Sequence, residues 1–185
     1  ISESENYPPL SELGVEEMEA LTKYLKSRAV KNDVIYTSPA VRTRQSAMMI
    51  SKLFKKDYVV VDDLTSRRLG QWNGMTVGQI LEKYPDGIQD LLLHPNKNAD
   101  SVVEASDEFV ARIKAVIDRL VEENVGNRII IVTYPEVIQA AICGALEIPA
   151  DKLSKIFIRT GSATQITYFE KWSSLVYSDH VPLQV

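Results

Sequence analysis

Arg128-Ile129-Ile130-Ile131-Val132-Thr133-Tyr134-Pro135-Glu136-Val137-Ile138 is the stretch whose reading decides the fold. A short, wholly apolar run of β-branched residues predicts a strand buried on both faces, as in a parallel sheet under helices. The run stops at Thr133-Tyr134-Pro135, and Pro135 sits where proline suits a helix, at its first position. In open α/β sheets, ligands bind at such carboxyl ends of strands, against the helix N-terminus. The residues at this turn therefore matter most for function. Here they are a tyrosine and a proline.

Outward from that stretch, the pattern alternates strands with helices. The turn continues as a helix over Glu136–Leu146. Upstream, Phe109, Ile113, Val116, Ile117 and Leu120 have the 3.6-residue period of a long amphipathic helix. Pro8-Pro9-Leu10-Ser11-Glu12-Leu13-Gly14 reads as an extended lead-in, stiffened by its prolines. A helix is predicted over Val15–Arg28, with Met18, Leu21 and Leu25 as its buried stripe. Asp33-Val34-Ile35-Tyr36 predicts a strand ending at Thr37-Ser38-Pro39, and Ala40–Phe54 a helix with Ala47, Ile50 and Phe54 on one face. Tyr58-Val59-Val60-Val61 reads as a strand and Asp62–Gly74 as irregular. Thr76 caps a helix reaching Tyr84, a shorter one spans Asp86–Leu93, and Asn96–Asp100 is a polar loop. Ile156-Phe157-Ile158, Thr164–Phe169 and Ser174–Tyr177 read as strands, the last two as a hairpin turned at Glu170-Lys171-Trp172. The fold class expected is α/β with a largely parallel sheet. With no repeat or linker, residues 1–185 read as a single domain.

Composition narrows the function. A net charge of −4, with Lys and Arg scattered, gives no electrostatic reason to expect nucleic acid or an acidic membrane surface. No apolar run approaches the roughly 20 residues that span a bilayer. Ile1-Ser2-Glu3-Ser4-Glu5 is acidic, the opposite of a secretory signal, and the lone Cys143 excludes an internal disulfide. The expectation is a cytosolic protein, with Cys143 a small core residue rather than a nucleophile. Two histidines, His94 and His180, are too few for a His-rich metal site, so no metal and no cofactor are expected.

Two general phosphate signatures are missing: a Gly-rich loop followed by Lys and Ser/Thr, and a G-x-G-x-x-G after a strand. Ser38-Pro39-Ala40-Val41-Arg42-Thr43-Arg44-Gln45-Ser46-Ala47 is more informative. It places a strand end, a proline turn and an arginine in the first turn of a helix, so Arg42 points at the same crevice as Tyr134. A guanidinium fork matches phosphate oxygens; pairing with a surface carboxylate is the other reading.

An ordered series of such pieces resembles the histidine phosphatase superfamily, which includes the cofactor-dependent phosphoglycerate mutases. Pro9–Gly14 is similar to that family's Leu-Thr-x-x-Gly stretch. Ile35–Pro39 with Arg42, Gln45 and Ala47 is similar to its SP-x-x-R-x-x-Q-T-A segment, and Gly70-Gln71-Trp72-Asn73-Gly74 to its G-x-W-x-G. Ala99-Asp100-Ser101 sits where Gly-Glu-Ser is usual, and Gly161-Ser162-Ala163-Thr164 resembles its late G-S-x-T. The resemblance runs from about Pro8 to His180. It implies a phosphoglycerate mutase-like, three-layer α/β/α fold and a ligand bearing a phosphate group, on a small molecule or a phosphoprotein, with a protein partner as a further expectation.

The resemblance also implies the chemistry. A histidine in an N-terminal Arg-His-Gly becomes phosphorylated; its neighbouring arginine, a second arginine and a second histidine clamp the phosphoryl oxygens; an acid protonates the leaving oxygen. Against that list, Arg42 matches the second arginine. Tyr134 stands where the second histidine is expected, and Ser66 where the glutamate two residues after Leu64 is expected. Asp100 offers a carboxyl group from its loop, or is a solvated loop residue. His94 and His180 read as surface or capping residues that do not substitute for the nucleophile. The resemblance places a first strand, carrying that nucleophile, beside Ile129–Thr133 and ahead of Ile1. The expectation is that the sequence is a trimmed part of a longer polypeptide, or that an outside segment fills the slot. The functional expectation is a catalytically degenerate member that binds phosphate or acts as a scaffold. The alternatives are an active phosphomonoesterase and a pure protein-interaction domain.

Overall fold

The computed structural model describes residues 8–28, 31, 33–88 and 103–182. The chain opens with helix α1 (Glu12–Ser27), whose N-cap Ser11 accepts a hydrogen bond from the Gly14 N–H at 3.1 Å. Strand β1 (Val34–Thr37), helix α2 (Val41–Phe54) and strand β2 (Tyr58–Val60) follow. Two 3-10 turns, Asp62–Leu64 and Gly70–Trp72, lead to helix α3 (Val77–Lys83), which begins with a reciprocal capping box between Thr76 and Gln79. Helix α4 (Ser106–Glu122), strand β3 (Ile129–Val132) and helix α5 (Pro135–Leu146) come next. The chain closes with a 3-10 turn (Ala150–Lys155) and the strands β4 (Ala163–Tyr168) and β5 (Ser173–His180).

β1 lies between β2 and β3 and is parallel to both, with Ile35 opposite Tyr58 and Thr37 opposite Val132. Period-two alternation sends the apolar strand residues to two separate cores. Ile35, Ile130 and Val132 join Met18, Leu21, Leu25 and Ile50 under α1 and α2. Val34, Tyr36, Ile129 and Ile131 join Phe109, Ile113, Leu120 and Val137 under α4 and α5. The sheet is thus the middle layer of an α/β/α sandwich, and a strand with polar residues on either face could not be buried this way.

The helices bury the stripes that their periodicity predicts. Met18, Leu21 and Leu25 are buried in α1, and Phe109, Ile113, Val116, Ile117 and Leu120 in α4. Cys143 is buried in α5 within the second core. β3 differs from expectation in degree. Its four residues are half-buried, whereas Ile35 of the central β1 is fully buried, because β3 is one of the two outer strands of its sheet among the described residues.

Two expectations are corrected. Ile156-Phe157-Ile158 is not a strand. The Ile156 N–H donates to the Leu153 carbonyl at 3.2 Å and the Ile156 carbonyl accepts from the Gln139 side chain at 2.6 Å, while just beyond the segment the Arg159 N–H donates to Asp179 at 2.7 Å. His180 is not a surface tail residue. It ends β5, half-buried, with its ring 4.5 Å from that of Tyr24. The hairpin itself forms as predicted, with β4 antiparallel to β5 and a register shift near Gln165. Of the helix expected over Asp86–Leu93, Asp86 lies in a turn, Gly87 and Ile88 are helical, and 89–93 lie outside the described residues. Among the described residues, no helix is long and apolar enough to cross a membrane.

Candidate functional site

The floor of the site is the carboxyl end of β1 and β3. Thr37 and Ser38 are fully buried there. The Ser38 N–H and the Thr37 hydroxyl both donate to the Val132 carbonyl, at 3.1 and 3.2 Å, locking the two strand ends together. The Thr43 hydroxyl reaches back to the Ser38 carbonyl at 2.9 Å and fixes the start of α2 over that floor. Neither α2 nor α5 has a side-chain hydrogen bond at its N-cap, Ala40 or Tyr134. Two helix N-termini, each carrying partial positive charge, therefore stand at one end of the sheet.

Arg42 is the second residue of α2 and Tyr134 immediately precedes α5. The structure brings them together: the Arg42 guanidinium carbon lies over the Tyr134 ring, 4.7 Å from its centroid. That is cation–π geometry, and with Tyr134 buried the ring is a desolvated platform for the charge.

The loop carrying Ser66 flanks the same turn. Leu64 is fully buried beneath it, and the Leu64 carbonyl accepts from the Thr133 hydroxyl at 3.2 Å. Arg112 of α4 holds the loop by donating to the carbonyls of Asp63, Thr65 and Ser66 at 2.8, 3.3 and 3.3 Å. Arg112 is itself held by Glu104, at 2.8 Å through each of two guanidinium nitrogens. Such a two-point fork fixes geometry as well as charge. Burial alone would push the Glu104 carboxyl up, but hydrogen bonds from Arg112 and the Arg68 N–H, with the Arg112 and Arg68 charges, hold it below its ordinary value. Next to Ser66, the buried Arg67 donates to the Glu104 carbonyl at 2.5 Å and to the Ser106 hydroxyl at 2.9 Å.

Glu136 completes the cluster. It is the second residue of α5, half-buried, and its carboxylate accepts from the Arg67 N–H at 3.1 Å, with Ser66 beside it. Burial pushes its carboxyl up, against the pull of Arg67 and Ser66 and with help from the Glu104 charge. Sequence reasoning did not single Glu136 out. An acid in a first helical turn reads as an ordinary complement to the helix dipole, and only the fold shows that it meets the Ser66 loop.

Of the other predicted positions, Asp100 and His94 lie outside the described residues. His180 is held between Tyr24 and Tyr177, with ring centroids at 4.5 and 5.9 Å, and takes no part in this cluster. Gly161 of the Gly-Ser-Ala-Thr segment packs against α1 with φ of 61°; a Cβ there would lie 2.7 Å from that of Glu17. Among the described residues, no group of three or more His, Cys, Asp and Glu is placed to hold a metal.

Solved structures share this fold. The structure of YhfR from Bacillus stearothermophilus superposes with a TM-score of 0.85 at 24% identity, covering 94% of this chain and 85% of that one. The mycobacterial glucosyl-3-phosphoglycerate phosphatase in complex with inorganic phosphate superposes with a TM-score of 0.82 at 20% identity, covering 96% and 90%. In sequence, phosphoserine phosphatase 1 of Hydrogenobacter thermophilus is 26% identical over 145 residues, 78% of this chain and 68% of that protein. The sequence model of the histidine phosphatase superfamily (branch 1) matches residues 3–179. Nearly the whole chain is thereby accounted for, and it belongs to the histidine phosphatase superfamily, branch 1.

Proposed function

We propose that this domain holds the phosphate group of a phosphorylated small molecule or phosphoprotein at Arg42 and is impaired as a phosphatase. The observation that carries this reading is the Arg42 guanidinium stacked on Tyr134 at 4.7 Å. Arg42 is kept at the mouth of two helix N-termini, where an anion is favoured. The residue beneath it is a phenol in place of an imidazole, the side chain that can carry a positive charge near neutral pH. Pro135, the first residue of α5, has no N–H to donate. Loss of one transition-state donor costs on the order of 10²–10³ in rate in other hydrolases. Such losses are not additive.

A second reading, an active phosphomonoesterase, is favoured by the Glu136 carboxyl beside Ser66 and by the 26% identity to a phosphoserine phosphatase. Hydrolysis of p-nitrophenyl phosphate and phosphoserine by the full-length polypeptide separates the two. Turnover at or near the uncatalysed rate, unchanged in Arg42→Ala, supports impairment. Turnover that collapses in Arg42→Ala makes the domain an enzyme with Tyr134 as a working part.

A further inference from the structure

We propose that the outer edge of β2 is a homodimer interface, on which a second copy of this chain lays its own β2 antiparallel about a two-fold axis at Val59. The inference is independent of the phosphate reading of Arg42 and concerns a different part of the sheet.

β1 pairs with one side of β2 and, among the described residues, no strand pairs with the other. The Val61 N–H donates inward, to the Thr37 carbonyl at 2.8 Å. Backbone N–H and C=O groups alternate in direction along a strand, so those of Val59 also face β1 and those of Tyr58 and Val60 face out. The side chains agree with an uncovered edge. Val59 is 51% exposed and Val60 41%, one on each face of the sheet. Val61 by contrast is buried in the core under α4 and α5, and Tyr58 packs against the core under α1 and α2. An outer strand with unpaired backbone and apolar groups on both faces is a template for another strand.

The flanking charges say which strand. The sequence reads Lys55-Lys56-Asp57-Tyr58-Val59-Val60-Val61-Asp62-Asp63, with lysines leading into the apolar run and aspartates leading out of it. Like charges at both ends would repel a second copy and protect the edge. Here the order is self-complementary. Antiparallel pairing with Val59 opposite Val59 sets Lys56 opposite Asp62 and Lys55 opposite Asp63, and symmetry repeats both pairs at the other end. The same register sets Tyr58 opposite Val60, so the outward backbone groups of each become partners. Asp57 falls opposite Val61, outside the charge pairs. An axis at Tyr58 would instead set both lysines opposite valines, and an axis at Val60 would set Asp57 opposite Asp63. Lys55 caps α2 in the left-handed region and Asp63 lies in the 3-10 turn Asp62–Leu64, so these two exposed residues meet as charges just beyond the ladder. Lys56 also donates to the Asp33 carbonyl of its own chain at 3.0 Å, which leaves Lys55 and Asp63 as the pair to test.

The test is sedimentation equilibrium of the full-length polypeptide over a concentration series, followed by mild oxidation of cysteine variants. The expected result is a monomer–dimer equilibrium that Lys55→Asp and Asp63→Lys each weaken by about tenfold, because symmetry places each substitution in both charge ends. An equal mixture of these two variants is expected to recover the affinity of the unmodified protein as a heterodimer, which a folding defect in either would not allow. Val59→Cys, on the axis, is expected to form an intermolecular disulfide, its Cα about 4.5 Å from its mate in a non-hydrogen-bonded pair. Val60→Cys lies two residues from its mate along the ladder, beyond the roughly 7 Å limit for a disulfide, and is expected to stay reduced. Cys143 is buried and does not compete. A monomer at every concentration would overturn the proposal, whether the edge is left to solvent or to a strand of another protein. So would a dimer indifferent to both charge reversals, a mixture that fails to recover, or equal cross-linking of the two cysteine variants.

Discussion

The guanidinium carbon of Arg42 sits 4.7 Å from the centre of the Tyr134 ring, so one helix start is stacked on the other across the end of the sheet. This contact does two things. It sets no opposing charge against the arginine, and it ties the orientation of Arg42 to a buried aromatic ring. Tyr134→Phe keeps the ring and should change unfolding free energy by less than about 1 kcal/mol. Tyr134→Ala removes a buried aromatic and should cost about 3–5 kcal/mol in urea unfolding. Equal effects of the two substitutions would show that the hydroxyl, not the ring, carries the contact.

Ser66→Glu restores the acid that the family resemblance leads one to expect, but it does so against the Glu136 carboxyl. Two carboxylates at hydrogen-bond range cannot both ionise freely. The single substitution should lower stability at pH 7 by about 2 kcal/mol, within the usual range for one residue. Ser66→Glu combined with Glu136→Gln should recover most of that loss. A double-mutant cycle with no coupling would mean that the two side chains do not share the space assigned to them.

Two carboxyls give stability opposite pH dependences. Glu104 is held below its ordinary value of 4.5, so its contribution is complete above 4.5 and is lost as pH falls through the lowered folded value. Glu136 is raised above 4.5, so the folded state holds its proton more tightly than the unfolded chain does. Its effect on stability is most favourable below 4.5 and declines as pH rises through the raised folded value. Glu104→Gln should therefore flatten the acid limb of the stability curve. Glu136→Gln should remove the decline on the less acidic side. Chemical unfolding at a series of pH values measures both, and a Glu136→Gln curve parallel to that of the unmodified protein would contradict the assignment.

Most of the fold was legible because its signals are local and redundant. The run Ile129–Val132 with Pro135 behind it, and the period of Phe109, Ile113, Val116 and Leu120, each admit one reading. Ile156-Phe157-Ile158 misled because a short apolar run carries strand propensity, while ladder pairing depends on a neighbour that sequence does not reveal. Gln139 and Asp179, 17 and 20 residues from the backbone groups they bond, took that role. The site was legible where a residue keeps its motif, as Arg42 and Tyr134 do. It was illegible at Glu136, Arg67 and Arg112, whose contacts with the Ser66 loop and Glu104 are made by folding rather than by spacing. A raised carboxyl is a property of surroundings, and no single-residue pattern reports it.

The proposed function stands first on Arg42 binding a phosphate group. Calorimetric titration of the full-length polypeptide with orthovanadate, alongside Arg42→Ala, tests it most directly. The account predicts saturable binding by the unmodified protein and at least a tenfold loss, about 1.4 kcal/mol, in Arg42→Ala. Equal binding by the two proteins, or none by either, would contradict it.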